Sequence, residues 1–401
     1  MKILYVTPLV AGFEDILKGE KDSRGLPSFI LPLKYLLEEG NTVNIILISN
    51  YTGGVNIKTE WISNENIVAN VNNDFASTHG FTRVRLKIKS LLEVRRIISK
   101  SLKTGEYDFV YCHGTAAYIG NILANKYSVR CGYRIYGVVD IAHDIKRFGL
   151  TKAIIKYPIY FRIFRKKKNF LLITDDGTDG DYVFKKFNPR RTVPLYYWTN
   201  GVDKGFRYER QARILQGCGC YEQNYIFHAA RITRLKRQDR IIEVLNELHK
   251  RENKIHLIFA GHITDDSYYK ELMEATYRYG LTYYVHFCGA IERGKMQSLA
   301  HDAIATVLLA DFSNQGNVFF ECAIAGSVII THPEESLKKY IDDKKSGFFV
   351  DNEKQAAKVV EDLIAGVYDR ENIRISIRNI VDEKLLSWDE RVHREIDLIK
   401  G

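Results

Sequence analysis

Short apolar runs recur between longer amphipathic stretches along nearly the whole chain, and this rhythm narrows the fold more than any single residue does. In the first half the runs are Ile3-Leu-Tyr-Val6, Val43-Asn-Ile-Ile-Leu-Ile48, Phe109-Val-Tyr111, Tyr133-Arg-Ile-Tyr136 and Leu171-Leu-Ile173, with a helical pattern near 26–39. In the second half they fall at 225–230, 255–260, 284–288, 304–309 and 328–331. Strands that alternate with helices imply parallel sheets, because parallel neighbours need a long crossover. Two such sets predict an α/β fold of two doubly wound, Rossmann-like domains with ligands bound in a central crevice. At 401 residues the chain is too long for one ordinary core. The turn-forming Asn-Gly in Trp198-Thr-Asn-Gly-Val-Asp-Lys204 marks the boundary. The predicted divisions are therefore 1–200, 201–382 and a final helical segment, 383–401.

No apolar run reaches the ~18 residues a membrane span needs, and Met1-Lys-Ile-Leu-Tyr-Val-Thr7 reads as a first strand rather than a signal peptide. A cytoplasmic protein is the expectation. The six cysteines, at 112, 131, 218, 220, 288 and 322, are scattered in mostly apolar context and read as reduced thiols. Cys218-Gly-Cys220 lacks the second pair of a structural zinc site. The net charge of +10 is unevenly placed: residues 1–200 hold 30 Lys and Arg against 18 Asp and Glu, leaving 29 against 31 in the rest. Such a basic half calls for an anionic partner, either nucleic acid or an acidic membrane surface.

Two segments carry chemistry. In Ser313-Asn-Gln-Gly316-Asn-Val-Phe-Phe-Glu321-Cys-Ala-Ile-Ala-Gly326 a glycine turn opens an apolar helix that bears one carboxylate. Backbone amides at such a helix start suit an anion, phosphate above all. Upstream, Arg231-Ile-Thr-Arg-Leu-Lys236 places two cations five residues apart just after the run Tyr225-Ile-Phe-His-Ala-Ala230. Together they indicate a nucleotide-diphosphate site. In this order, and about eighty residues apart, the two segments resemble the donor site of family 4 retaining glycosyltransferases of the GT-B fold. Asn200-Gly-Val-Asp203, Phe287-Cys-Gly289 and Leu386-Ser-Trp388-Asp-Glu390 extend the resemblance over nearly the whole chain.

The resemblance implies roles. Arg231 and Lys236 would stabilise the leaving diphosphate, the amides of Gly316, Asn317 and Val318 would face the diphosphate and donor sugar, and Glu321 would accept the ribose hydroxyls. Backbone near Ala290 and Ile291 would read the base, with UDP-sugar the expected donor and no cofactor. Gly25, in Ser23-Arg-Gly-Leu-Pro27, matches the family's glycine loop thinly, and a plain loop-to-helix turn is an equal reading. Ser313 stands where the family has the first of two glutamates, and Tyr136 where it has a sugar-facing histidine; His113 and His143 are nearby candidates that the sequence does not rank. These departures put the transferred sugar, and activity itself, in question. The final segment would cross back to the first domain.

No His, Cys, Asp or Glu cluster has metal spacing, and Asp179-Gly-Asp181 reads as a surface turn, so metal-independent transfer is expected. Residues 146–168 mix cations with Phe, Tyr and Ile in the manner of an interfacial segment on anionic lipid, a solvated basic surface being the other reading. The basic run Arg83 to Lys103 has Leu and Ile at helical spacing and reads as a core-facing helix with a cationic exterior. The expected activity is sugar transfer to a saccharide or lipid-linked saccharide in surface polysaccharide assembly, and no nucleic-acid partner is expected since no recognised motif is present. A non-catalytic GT-B partner subunit or a nucleotide-sugar-binding protein is the alternative. A Rossmann dehydrogenase is disfavoured because no Gly-x-Gly-x-x-Gly follows the first run.

Overall fold

The computed structural model describes residues 1–9, 13–17, 19, 27–49, 58–72, 80–217 and 224–401. It divides into two compact units, Met1–Gly201 with Trp388–Gly401, and Val202–Ser387.

The first unit is built on β1 (Lys2–Pro8), β2 (Thr42–Ser49), β3 (Ile67–Asn72), β4 (Phe109–His113), β5 (Arg130–Ile135), β6 (Phe170–Thr174) and β7 (Leu195–Trp198). They pair in parallel in the order β3-β2-β1-β4-β5-β6-β7. The central strands read as continuous apolar runs because both faces are covered. Along β1, Leu4 and Val6 enter one core with Val94, Ile98 and Leu102 of the helix Gly80–Thr104. Ile3 and Tyr5 enter the other, with Leu33 and Leu36 of the helix Pro27–Glu38 and Val392, Ile396 and Ile399 of the helix Trp388–Lys400.

That last helix is held by buried charge as well as by apolar contact. Glu395, fully buried, accepts from Arg134 Nη1 at 2.8 and 2.5 Å, from the Tyr111 hydroxyl at 2.5 Å and from Arg391 Nη1 at 3.1 Å. Arg134 Nη1 also donates to Ser28 O at 2.9 Å, and Arg391 Nε to Thr199 O at 2.9 Å. A buried carboxylate survives only with such partners. Residues 383–387, expected in the returning segment, lie in the second unit.

The helix Gly80–Thr104 departs from its sequence reading. Only its later half faces the core: Val84, Ile88, Leu91 and Leu92 are 49–58% exposed.

The second unit carries β8 (Tyr225–Ala229), β9 (His256–Ala260), β10 (Val285–Phe287), β11 (Ala305–Leu308), β12 (Ile329–Thr331) and β13 (Phe348–Phe349). They form a parallel sheet in the order β10-β9-β8-β11-β12-β13. Chain order reverses between β8 and β11, so the loops leaving the carboxyl ends of these two strands part there, the place where open α/β sheets bind ligands. The neighbouring loops are packed backbone to backbone. Gly261, at φ +153°, has no room for a side chain, since a Cβ would meet Ala230 O at 1.9 Å, and its amide donates to Gly289 O at 2.7 Å.

Candidate functional site

Beyond β8 the chain runs through Arg231 to a short turn, Arg234–Lys236, and then the helix Gln238–Lys250. Gln238, buried, donates from Nε2 to Arg231 O at 2.9 Å and so fixes the loop, while the Arg231 side chain is exposed. Lys236 is half-buried, and its charge acts on His228 of β8 and on Glu334 in the loop after β12. Burial first, and then Lys236, hold the His228 imidazole down to about 4, although its Nδ1 lies 2.7 Å from Val307 O. Burial pushes the Glu334 carboxyl up, opposed by hydrogen bonds from Asn314 and by the charges of His332 and Lys236.

Asn314 shapes the loop beyond β11. Its Oδ1 accepts from Ala310 N at 2.9 Å, and its Nδ2 donates to Ala310 O at 3.2 Å and to Glu334. The Asn314 amide donates to Glu334 Oε1 at 3.0 Å. Asp311, in the same loop, takes Arg237 at 2.7 Å and Arg240 at 2.9 Å, which ties the loop to the residues following Lys236. Ser313 Oγ accepts from Gln315 N at 3.2 Å, closing the turn that leads to Gly316. Gly316 is extended (φ −112°, ψ 178°) and starts the helix Asn317–Ile324 with no side-chain cap. The first-turn amides of that helix have no partner within it and carry the positive end of its dipole.

Glu321 lies one turn further on, its side chain only 12% exposed, and pairs with Arg293 Nε at 3.0 Å. Burial pushes its carboxyl up to about 7; Arg293 pulls it down and Asp203 pushes it up again. Arg293 opens the helix Arg293–Asp302, just after Ala290 and Ile291 in the loop that leaves β10, so this pair joins the β10 loop to the helix bearing Glu321. Ile291 is half-buried against the core.

Lys236, Ser313, Gly316, Asn317, Val318 and Glu321 thus all lie on the segments that follow the two strands flanking the reversal, with Ala290 and Ile291 joined to them through Arg293. Arg231 is on the Lys236 loop. Sequence reasoning missed Arg293, Asp311, Asn314 and Glu334. Arg293, a cation two residues past Ile291, was visible as a partner for the lone helical carboxylate. Glu334 had no local signal.

Tyr136 belongs to the first unit. Its hydroxyl lies 3.0 Å from His113 Nδ1, and its ring stacks on Phe29 at 4.0 Å. His113, fully buried at the end of β4, has no hydrogen-bond partner at Nε2, and burial, with the Arg134 charge, holds its imidazole well below the usual range. His143 is exposed, 3.6 Å from Asp144. Gly25, Cys218 and Cys220 fall outside the described residues. Asp179 and Asp181 pair with Lys146 (2.5 Å) and Lys185 (2.6 Å). Among the described residues no group of three or more His, Cys, Asp or Glu could hold a metal ion.

Residues 146–168 contain the end of the helix Val139–Phe148, then Leu150–Lys156 and Pro158–Arg165. Phe164 is buried, and Tyr157, Tyr160 and Phe161 pack on the first unit's core. Lys168 cannot face lipid: it is buried, and its Nζ donates to Ile163 O at 2.5 Å and to Lys166 O.

One prediction arises from the Glu321 pair. If the carboxylate is the acceptor for ribose hydroxyls, nucleoside diphosphate affinity should rise as pH passes upward through about 7, where Glu321 loses its proton. Glu321→Gln should weaken that binding, flatten this part of the pH profile and leave inorganic pyrophosphate binding nearly unchanged. Calorimetric titration reads all three, and equal losses for both ligands would mean that Glu321 only supports the fold.

Residues 221–379, most of the second unit, match the family model described as glycosyl transferases group 1. No curated protein matches the chain in sequence. Among solved structures, HepE (Alr3699) of Anabaena in complex with UDP and glucose is 16% identical, with 99% of this chain and 98% of that chain covered and a TM-score of 0.68. Sucrose-phosphate synthase (tll1590) of Thermosynechococcus elongatus is 12% identical over 100% and 98% of the two chains, at a TM-score of 0.71. The Escherichia coli trehalose-6-phosphate structure bound with UDP-2-fluoro glucose is 11% identical over 100% and 99%, at 0.69. At such identities the similarity carries the fold: two parallel sheets with interleaved helices, the α/β architecture of GT-B glycosyltransferases.

Proposed function

We propose that the protein is a retaining glycosyltransferase that moves a sugar from a nucleotide-diphosphate sugar, a UDP-sugar, to a saccharide or lipid-linked saccharide of surface polysaccharide assembly. The observation that carries this reading is the convergence of Lys236, the uncapped helix start at Gly316 to Val318 and the part-buried Glu321 on the loops that flank the strand reversal. The match of residues 221–379 to glycosyl transferases group 1 and the UDP complex of HepE support it.

In this reading the bond from the sugar's anomeric carbon to the diphosphate oxygen breaks, and the electron pair leaves with the diphosphate. Arg231, Lys236 and the Gly316 to Val318 amides stabilise the charge that develops there, without having to reorganise. The acceptor hydroxyl attacks on the same face, and its proton passes to the departing phosphate oxygen, so no protein base is required. Glu321 takes the ribose, and backbone near Ala290 and Ile291 the base. Ser313 caps its own turn through Gln315, which leaves the donor sugar's hydroxyls to be met by other groups than the family's first glutamate.

Arg231 and Lys236 are assigned the neutralisation of the diphosphate, so transfer should survive EDTA. A complete loss on chelation, restored by manganese or magnesium, would replace that assignment. A thermal-shift panel of UDP-, GDP- and ADP-sugars tests the donor, since a ligand at a hundred times its dissociation constant stabilises by about 2.7 kcal/mol. A shift with UDP-sugars alone is the expected result; no shift with any would sink the donor site. An acceptor borne on the inner face of the cell membrane is supported by eight of the nine Lys and Arg of residues 146–168, Lys168 being buried, and by the lack of Asp or Glu there, beside the exposed Phe148, Leu150, Ile155 and Ile159.

A further inference from the structure

Among the described residues no helix is long and apolar enough to cross a membrane, yet the helix Gly80–Thr104 leaves a large apolar surface in water. Val84, Ile88, Leu91 and Leu92 follow the spacing i, i+4, i+7, i+8, which is one face of a helix. They are 54, 52, 49 and 58% exposed, whereas the turns beyond them bury Val94, Ile98 and Leu102. A helix that only covered a sheet would have charged or polar residues at those four positions. The same helix carries eight Lys and Arg and one acid, Glu93. Arg85, Lys87, Lys89, Arg95 and Arg96 are all exposed around the apolar stripe. An apolar stripe bordered by cations is complementary to a lipid surface with anionic headgroups: the side chains enter the acyl boundary while the cations meet the headgroups.

We infer that the first half of the helix Gly80–Thr104 docks the first unit on an anionic lipid surface. The second half is the anchor on the protein side, locked into the sheet by Val94, Ile98 and Leu102 and by the Ser99 Oγ to Tyr127 hydroxyl contact of 2.7 Å. The same core holds Ile141, Ile145, Ala153, Ile163 and Phe164, so residues 146–165 cover the same face of the sheet. Their exposed Phe148, Leu150, Ile155 and Ile159 extend the surface in the manner of a second contact. The inference deepens the reading of a membrane-borne acceptor and rests on it for its purpose. Its physical basis, the exposed stripe and its charges, is independent of donor chemistry.

The test is co-sedimentation of the full chain with vesicles of phosphatidylcholine alone and of phosphatidylcholine with an equal part of phosphatidylglycerol. Wild type should bind the second far more tightly than the first, and salt should remove most but not all of that binding. Arg85→Gln, Lys87→Gln, Lys89→Gln and Arg96→Gln together should weaken partitioning by on the order of several hundredfold, each cation near such a surface being worth about fivefold. Val84→Gln, Ile88→Gln, Leu91→Gln and Leu92→Gln together should abolish what binding persists at high salt. All eight positions are exposed, so UDP-induced thermal shifts should match wild type and certify the fold of each variant. If wild type binds anionic vesicles but these variants bind equally well, while Lys152→Gln, Arg165→Gln, Lys166→Gln and Lys167→Gln release it, the helix inference is overturned and the membrane reading stands. Wild type that ignores anionic vesicles at low salt overturns both. A wild-type dimer that the four apolar substitutions dissolve, without vesicle binding, would assign the stripe to a second copy of the chain.

Discussion

Under the proposed transfer, Arg231→Ala and Lys236→Ala are each expected to lower turnover by on the order of a hundredfold or more, because each would take a fixed positive charge away from a leaving group that gains negative charge in the transition state. Nucleoside diphosphate affinity should fall with the rate. The two variants should differ in one respect. Arg231 is exposed and its loop is held through its backbone by Gln238, so the folded state should not notice the loss. Lys236 faces Glu334, the carboxylate that clamps Asn314, and its removal should also raise the pH at which that clamp protonates. Single-turnover kinetics with saturating donor separates chemistry from binding. Unchanged affinity and rate in both variants would reject the site.

Glu395→Ala should destabilise the first unit by about 3–5 kcal/mol, the usual cost of leaving one partner of a buried ion pair without the other. Arg134 would keep its charge in the core, and Arg391 and the Tyr111 hydroxyl would each lose an acceptor. The three tryptophans, Trp61, Trp198 and Trp388, all lie in the first unit, so intrinsic fluorescence reports that unit alone. Trp198 sits 4.8 Å from the Arg391 guanidinium and should respond early. The urea midpoint read by fluorescence should drop while the second unit keeps its UDP-induced shift. An unaltered fluorescence midpoint would show that the apolar residues Val392, Ile396 and Ile399 hold the helix unaided.

The strands buried on both faces were legible as apolar runs, and those runs gave two parallel sheets. The strands that escaped, β3, β7 and β13, lack that signature for identifiable reasons. β3 is an edge strand in which Asn70 and Asn72 interrupt Ile67, Val68 and Val71; β7 is an edge strand whose four residues are all half-exposed. β13 is two residues long, too short for any period to show.

At the candidate site, turn chemistry in Ser313 to Gly316 and the carboxylate of Glu321 stood out locally. The groups that hold them did not. Glu334, Arg237 and Arg240 reach the β11 loop from other elements, and the Glu395 network joins residues 261 positions apart, so no window of sequence contains either arrangement. The reading of the helix Gly80–Thr104 failed for a different reason. Periodicity reports that a face is apolar and is silent on what meets it, and here the same period runs from the core into water.

The closing of the first unit by residues 388–400 also sets an order in time. A ribosome adding roughly 5–20 residues each second completes Arg134 some 13–52 s before Glu395 exists to receive it. During that interval the nascent first sheet has its strands but lacks Val392, Ile396 and Ile399 from one face, and the guanidinium destined for its interior has no counter-charge. The second unit is a single unbroken stretch, Val202–Ser387, and can finish before its older neighbour does. Synthesis from first residue to last therefore does not mean folding from first to last, and a messenger truncated before residue 388 would yield a chain whose later-made unit is the sound one.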